Sequence, residues 1–406
     1  METKSNTYYG SVLAILAALF FMWGLITVLN FMLLDELTKV FNMSVFEANL
    51  INLTFFGAYL LVALPAGKLI NMIGYKKGII TGIMIAGIGC LLFYPAAENQ
   101  SYQFCLISLF TLASGITVLQ VAANPYVALL GQRGRGAFKL TLVQAFNALG
   151  AALAPFFAGG LLLNLAGISK ESFAFMSPEE IKLALVEFVQ LPYLILAGLL
   201  FLLALFLAFS RLPVLNTNAF DPLVKESDPP RKYVIQFPHL TLGAIAIFMY
   251  VGAEVSIAHY LTFQASELVG YYWLLSMAGR FIGAFMLTKI SPRKSIGVAS
   301  LIASSLVLAF IFLHKDLALI ALVLVGLFNS ILFPCIFTMG IDGLGKYSEE
   351  GSSVLNMAIF GGAVLPFVIA RIDNVILAFL IIFICYLFIA YFGFKGSRYE
   401  KKANYL

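Results

Sequence analysis

Charge is what this chain has least of. Only 11% of its 406 residues are Asp, Glu, Lys or Arg, against roughly a quarter in soluble domains. So few charges cannot cover a water-facing surface, whereas a lipid-facing surface needs none. Cysteine and histidine are scarce as well. The four cysteines, Cys90, Cys105, Cys335 and Cys385, all fall inside apolar runs and form no CxxC pair. They read as small buried side chains, and no metal or haem motif can be built from them. The three histidines, His239, His259 and His314, are spread along the chain, so no metal site and no cofactor are expected. HExxH, GxSxG and phosphate-loop signatures are absent, and with them the usual nucleophile, metal and acid–base arrangements of an enzyme. The net charge of +5 is spread over short loops, which argues against nucleic acid as a partner.

Apolar residues fill the space that charge leaves. They make up 61% of the chain, and mean hydropathy is +0.96. A helix needs about 20 mostly apolar residues to cross a bilayer. Twelve such runs are present, near 10–34, 46–72, 75–96, 102–130, 138–166, 187–210, 238–264, 269–288, 296–313, 317–341, 350–371 and 374–395. The fold class is therefore an all-α, multi-pass membrane protein. The first run is long enough to span and lacks a small-residue cleavage site. The longest polar interruption, Arg211–Pro238, holds Asp221, Pro222, Lys225, Asp228, Pro229, Pro230, Arg231 and Lys232. It reads as a linker over 211–237 between a six-helix half at 1–210 and another at 238–406.

Lys and Arg alternate between the two sets of loops. One set has Lys76, Lys77, Arg133, Arg135, Lys139, the linker, Lys289, Arg293, Lys294, Lys346, Lys395, Arg398, Lys401 and Lys402. The other is poorer in them and more acidic, with Asp35, Glu36, Glu98, Glu171, Glu179, Glu180 and Glu267. The basic set is expected inside, which puts both termini in the cytoplasm.

Weak echoes between the halves suggest duplication. Gln144-Ala-Phe-Asn-Ala-Leu-Gly-Ala-Ala-Leu-Ala-Pro155 in span five resembles Asn356-Met-Ala-Ile-Phe-Gly-Gly-Ala-Val-Leu-Pro366 in span eleven. The turn from Gly67 to Lys77 after span two is echoed from Gly279 to Lys294 after span eight. Two joined halves favour a rocking transporter over a channel. The loop Gly74–Gly78 is expected to act as a latch, and Pro125, Pro155, Pro334 and Pro366 either to bend their spans or to serve packing.

Polar side chains inside the spans carry the functional signal. Trp23, Thr27 and Asn30 recur at i, i+4 and i+7 on one face of span one, beside Phe31. Gln120 and Asn124 sit at i and i+4 in span four, and Gln144 and Asn147 at i and i+3 in span five. Amides both donate and accept, as a hydroxyl-rich solute requires, and Trp23 can stack on the C–H face of a sugar ring. The same side chains could instead be hydrogen-bonding glue between helices, worth about 0.6 kcal/mol per pair. Glu254 in span seven, one turn after Tyr250, is either a proton or cation site or a structural hydrogen-bonding group. His259 reads as structural, Arg280 as an anchor near the membrane interface, and Asp342 as a loop contact.

Several runs resemble the fucose:proton symporter family of the major facilitator superfamily, including its glucose/galactose branch. In the first half they are Phe20-Phe-Met-Trp-Gly24, Leu29-Asn30, Phe55-Phe-Gly-Ala-Tyr59, Gly74-Tyr-Lys-Lys-Gly78, Leu119-Gln-Val-Ala-Ala-Asn-Pro-Tyr126 and Gln144-Ala-Phe-Asn147. In the second they are Tyr250-Val-Gly-Ala-Glu-Val255, Gly279-Arg280, Phe328-Asn-Ser-Ile-Leu-Phe-Pro334 and Gly361-Gly362. The resemblance implies the major facilitator fold, a monomer, and proton-linked uptake of a monosaccharide of fucose, glucose or galactose type across a bacterial inner membrane. The sugar would sit between the halves, against Trp23, Thr27, Asn30, Phe31, Gln120, Asn124, Gln144 and Asn147. Of the family's two acidic positions, one is Phe31 here and the other Gln120, as in the glucose/galactose branch. Phe31 cannot ionise, so the proton site either moves to Glu254 or is lost, which would leave an uncoupled facilitator. A phenylalanine in the cavity also fits a less polar cargo, such as a siderophore or a drug, possible as an export substrate. A sensor is disfavoured, since the tails are too short for a signalling domain.

Overall fold

A computed structural model describes residues 2–40, 45–131, 134–157, 178–213, 215 and 234–398. Most of the polar linker expected at 211–237 and the basic tail beyond Arg398 lie outside the described residues, as do Arg133, Glu171 and the side chains of Phe31, Asp35, Glu36, Glu179 and Glu180. The described elements are helical. Spans one to six are Glu2–Val40, Val45–Ile73, Tyr75–Glu98, Tyr102–Leu129, Gly136–Phe157 and Pro178–Phe209. Spans seven to nine are Pro238–Gln264, Ser266–Met286 and Pro292–Phe312. Span ten comes in two pieces, Lys315–Asn329 and Leu332–Ile341, and so does span eleven, Ser348–Met357 and Gly361–Ile369. Span twelve is Val375–Tyr391 and ends in a π-helical turn, Phe392–Gly396.

Helix is the answer lipid imposes, because each backbone N–H and C=O must find its partner within the segment. Eleven of these stretches are long and apolar enough to cross a membrane. The twelfth, span eight, has 21 residues but carries Glu267 and Arg280 among its apolar side chains. Large apolar groups face outward, among them Leu61, Leu202, Phe206, Phe285 and Ile384, each more than half exposed. A water-soluble monomer rarely shows such a surface. Helix ends are closed locally. Ser101 Oγ accepts from the N–H of Phe104 and begins span four, and Asn374 Oδ1 accepts from Ile376 and Leu377 and begins span twelve. These are ordinary N-caps.

Proline does not break every span that contains it. Pro125 and Pro155 lie inside the continuous helices of spans four and five. The interruptions are in spans ten and eleven. Pro334 follows the break at Ser330–Ile331 and stands in the first turn of the second piece, where a missing N–H is tolerated. In span eleven a 3-10 turn, Ala358–Phe360, separates the pieces.

The main pairings among the first six spans are one with five, two with four, three with four and three with six. Raising each number by six gives seven with eleven, eight with ten, nine with ten and nine with twelve, which are also in contact. Hydrogen bonds repeat the rule. Gln120 Nε2 of span four donates to Tyr59 Oη of span two at 2.6 Å, and Asn329 Nδ2 of span ten donates to Tyr272 Oη of span eight at 2.8 Å.

Twelve crossings bring the start of span one and the end of span twelve to one face, here the terminal face. Much of the contact between first and last six spans lies on that side. Span two meets span eleven, where a Cβ on Gly67 would fall 1.9 Å from Ser353 Oγ. Ser352 Oγ donates to the carbonyl of Val121 in span four at 2.9 Å. The loop at Gly74, whose φ of 82° suits glycine, divides its contacts. Lys76 Nζ donates to the carbonyls of Ala208 and Ser210 at the end of span six, both at 2.8 Å, while Tyr75 lies beside Glu349 of span eleven. Tyr75, rather than the lysine, is therefore the part of this loop that reaches the last six spans.

Candidate functional site

Spans one, four and five carry the expected polar side chains, and the backbone decides how they meet. Spans one and five approach so closely that a Cβ on Gly24 would fall 2.0 Å from the carbonyl oxygen of Asn147, and one on Gly150 2.1 Å from that of Phe21. At this crossing Asn147 Nδ2 donates to the carbonyl of Phe20 at 2.9 Å. Trp23, one turn along span one, is half-buried and packs its edge on Phe20 with centroids 5.1 Å apart. Trp23 and Asn147 thus belong to one corner.

The other members of the set differ in environment. The Thr27 hydroxyl is buried without a partner. Asn30 is fully buried, and its Oδ1 accepts from Tyr193 Oη of span six at 3.0 Å. Tyr193 stacks on Phe93 of span three at 4.0 Å. In this state Asn30 therefore ties span one to span six, while its Nδ2 has no partner. Gln120 is engaged by Tyr59, which stands in an aromatic group with Phe55 and Phe56. Asn124 is fully buried and neither of its amide atoms is hydrogen-bonded. A buried unpaired polar group costs about 1–3 kcal/mol, so Thr27, Asn30 and Asn124 hold unused hydrogen-bonding capacity inside the first six spans.

Gln144 leads across to the last six. Its backbone carbonyl accepts from Arg280 Nη1 of span eight at 3.3 Å. Phe146 and Phe281 meet edge-on beside this contact, with centroids 5.7 Å apart. An anchor near the membrane interface, as the sequence suggests for Arg280, is not what the structure shows: the guanidinium reaches into the bundle toward span five, and its Nε is buried without a partner. Arg280 also lies near enough to Glu254 for their charges to attract. Glu254 is 9% exposed, and its Oε1 accepts from Tyr250 Oη at 2.8 Å.

Around Glu254 runs a polar chain that sequence reasoning missed. Asn329 donates to Tyr272 and accepts from Tyr386 Oη, both at 2.8 Å. Spans eight, ten and twelve are thereby joined through one asparagine. The signal was available in Asn329-Ser330, a polar pair inside an apolar run, and in Arg280, a charge within a span. The four cysteines are buried and free.

The arrangement is a bundle with buried amides and a half-buried tryptophan in its first six spans, and a buried carboxyl and an arginine in its last six, of which Arg280 reaches across to Gln144. Comparison with known proteins agrees with it. Residues 13–366 match the Major Facilitator Superfamily. A glucose/galactose transporter of Brucella abortus is 40% identical, with 98% of this chain and 97% of that protein covered. The L-fucose-proton symporter of Escherichia coli is 35% identical over 96% of this chain and 94% of its own length. The solved structure of FucP, a Major Facilitator Superfamily transporter in the outward conformation, superposes with a TM-score of 0.85 and 33% identity, covering 96% of this chain and 100% of that one. These relatives are membrane transporters and not enzymes. The chain belongs to the Major Facilitator Superfamily, in the family of the fucose:proton symporters and glucose/galactose transporters.

Proposed function

We propose that this protein takes up a monosaccharide of the glucose, galactose or fucose type across a bacterial inner membrane by alternating access. The reading rests first on the identity of 40% to a glucose/galactose transporter over nearly the full length. The site chemistry supports it. Gln120, Gln144 and Asn147 are amides with both donors and acceptors, and half-buried Trp23 offers a ring face. Thr27, Asn30 and Asn124 add groups whose hydrogen bonds are unfilled in this state. Phe31 stands next to Asn30 in sequence, at a place where the family resemblance implies a carboxylate.

The two halves are residues 1–210 and 238–406, with 211–237 as linker. The pairings that repeat when span numbers rise by six support that division. Both termini face the cytoplasm, as the Lys and Arg of the loops indicate. With contacts such as Ser352 to Val121 closing the terminal face, this conformation is the outward-facing one. The protein works as a monomer, which light scattering in detergent tests directly.

Glu254 is the proton site. It is a carboxyl deep in the bundle, with Tyr250 as hydrogen-bond donor and Arg280 as counter-charge, and such groups mark ion and proton paths in transporters. A second reading, an uncoupled facilitator, is favoured by Phe31, which cannot carry a proton. Uptake of labelled D-glucose, D-galactose and L-fucose into proteoliposomes, with and without an inward proton gradient, separates the two. Uphill uptake driven by the gradient is expected. Uptake that merely equilibrates would establish the facilitator, and none under either condition would overturn the sugar reading.

A further inference from the structure

We propose that Asn356 is a positioning residue that sets the direction of the Ser352 hydroxyl, and that the bond from this hydroxyl to the Val121 carbonyl is a latch holding the terminal face shut. The inference rests on the alternating access proposed above, and not on the identity of the sugar or on the proton site. Ser352 Oγ of span eleven donates to the carbonyl oxygen of Val121 in span four at 2.9 Å. Asn356 lies one turn farther along span eleven. Its Nδ2 reaches both the carbonyl oxygen and the Oγ of Ser352, at 2.8 and 3.2 Å. Val121, Ser352 and Asn356 are fully buried.

The direction of each bond follows from what its atoms can do. A carbonyl oxygen only accepts. The Asn356 atom next to the Ser352 carbonyl is therefore the amide nitrogen, and this fixes which way the side chain is turned. The second N–H of that nitrogen points to Ser352 Oγ, which accepts it. The single hydroxyl proton of Ser352 is then free to donate, and the Val121 carbonyl is the acceptor it meets. The chain of donors runs from Asn356 through Ser352 to Val121, out of the last six spans and into the first six.

A serine inside a helix has a nearer acceptor, the carbonyl four residues back. Ser108, Ser114, Thr117 and Ser256 use it. So does Ser353, which donates to Glu349 at 3.0 Å although it lies against span two at Gly67. Ser352 crosses to span four instead. What distinguishes these neighbours is the residue one turn on: Asn356 follows Ser352 and can donate to it, whereas Met357 follows Ser353 and cannot. The other end of the Asn356 amide has no such use. Its Oδ1 is buried without a partner, a cost that an apolar side chain would avoid. The nitrogen end accounts for an amide at this place.

The surroundings suit a latch. Two residues after Asn356 comes the 3-10 turn Ala358–Phe360, which separates the two pieces of span eleven. Turns of this kind within a span often mark hinges. When the Ser352 bond breaks, the first piece moves away from spans two and four about this turn, and the terminal face opens. One net hydrogen bond changes the ratio of open to closed molecules by about fivefold, enough to bias the equilibrium without freezing it.

The test uses the full chain in proteoliposomes, with spin labels on cysteines introduced at Asn71 and Glu350. Both positions are exposed, at the terminal-face end of span two and the start of span eleven. Pulsed dipolar spectroscopy reads the shares of short and long separations. The sugar-free parent should be mostly short, and D-glucose, D-galactose or L-fucose should raise the long share. Ser352→Ala and Asn356→Leu should each raise the ratio of long to short about fivefold without sugar. The double variant should go no further than either single one, because Asn356 acts through Ser352.

An unchanged ratio in Ser352→Ala would overturn the latch. A shift in Ser352→Ala with none in Asn356→Leu, or two shifts that multiply in the double variant, would overturn the role of Asn356. Asn356→Ala, read in the same way, covers the case in which Asn356→Leu fails to fold. A parent whose separation ignores all three sugars would overturn the sugar reading itself, which keeps that failure distinct from failure of the latch.

Discussion

Spans one and five form one corner of the molecule, and spans seven and eleven form its counterpart. Each is built on a glycine pressed against a phenylalanine carbonyl. A Cβ on Gly150 would lie 2.1 Å from the oxygen of Phe21, and one on Gly361 2.1 Å from that of Phe248. From those phenylalanines the same steps along the helix lead to different chemistry. Two residues on stand Trp23 and Tyr250, and six residues on stand Thr27 and Glu254. The first corner thus offers a ring face and a neutral hydroxyl without a partner. Its counterpart offers a phenol bonded to a carboxyl, with Arg280 close by. One backbone frame carries two kinds of side chain: neutral groups on one side, and a carboxyl with its tyrosine on the other.

The frame itself can be broken hardest. Gly150→Val and Gly361→Val each push a side chain into a backbone carbonyl that cannot rotate away. Overpacking costs about 1–3 kcal/mol or more, and these contacts belong at the upper end. Both variants should melt far below the parent in detergent, or fail to accumulate in the membrane, as followed by fluorescence-detected size exclusion on heating. Damage from one and tolerance of the other would mean that the corners only look alike.

Their chemistry separates at the next level of effect. Glu254→Gln should abolish gradient-driven sugar accumulation, a loss of about tenfold or more. Thr27→Val, at the matching place, should change the half-saturation for sugar and leave the accumulation ratio as it was. Paired transport assays at fixed proton gradient check this. A collapse of the ratio in Thr27→Val would move the coupling function into the first six spans.

Smaller effects test the tyrosine bridges. Tyr59→Phe removes the bond to Gln120, and Tyr272→Phe the bond to Asn329. Net contributions of such bonds centre near 1 kcal/mol, so the two variants should lower thermal stability by similar, modest amounts. Unequal losses would show that the asparagine shared by Tyr272 and Tyr386 behaves as a unit that Gln120 does not match.

Much of this was legible in the sequence because lipid leaves so few choices. Runs of apolar residues mark helices, and twelve runs became twelve spans, including span eight with its mixed content. Depth and neighbours were not legible. Trp23, Thr27 and Asn30 share a face by spacing, yet that face borders both span five and span six. Trp23 therefore lies by the span-five crossing while Asn30 binds Tyr193. Arg280 sits six residues before the end of span eight. A long cationic side chain near a helix end commonly reaches outward to the interface, and linear spacing cannot show that a span-five carbonyl lies within its reach.

Asn124 and Asn329 make the finest version of the comparison. Both are fully buried amides, in spans four and ten. Asn329 is bonded through both amide atoms to tyrosines; Asn124 through neither. Replacing a bonded amide leaves its partners unpaired, whereas replacing an unbonded one removes a penalty already present. Asn124→Leu should therefore leave thermal stability within about 1 kcal/mol of the parent, or raise it, although it alters a buried polar residue. The amide of Asn124 is expected to serve another state, in which the bundle rearranges and it meets sugar or the opposite half. The variant should accordingly transport D-galactose several-fold more slowly while melting no earlier. If Asn124→Leu instead destabilises as much as Asn329→Leu does, Asn124 is a packing residue and the unused capacity of the first six spans is smaller than the structure suggests.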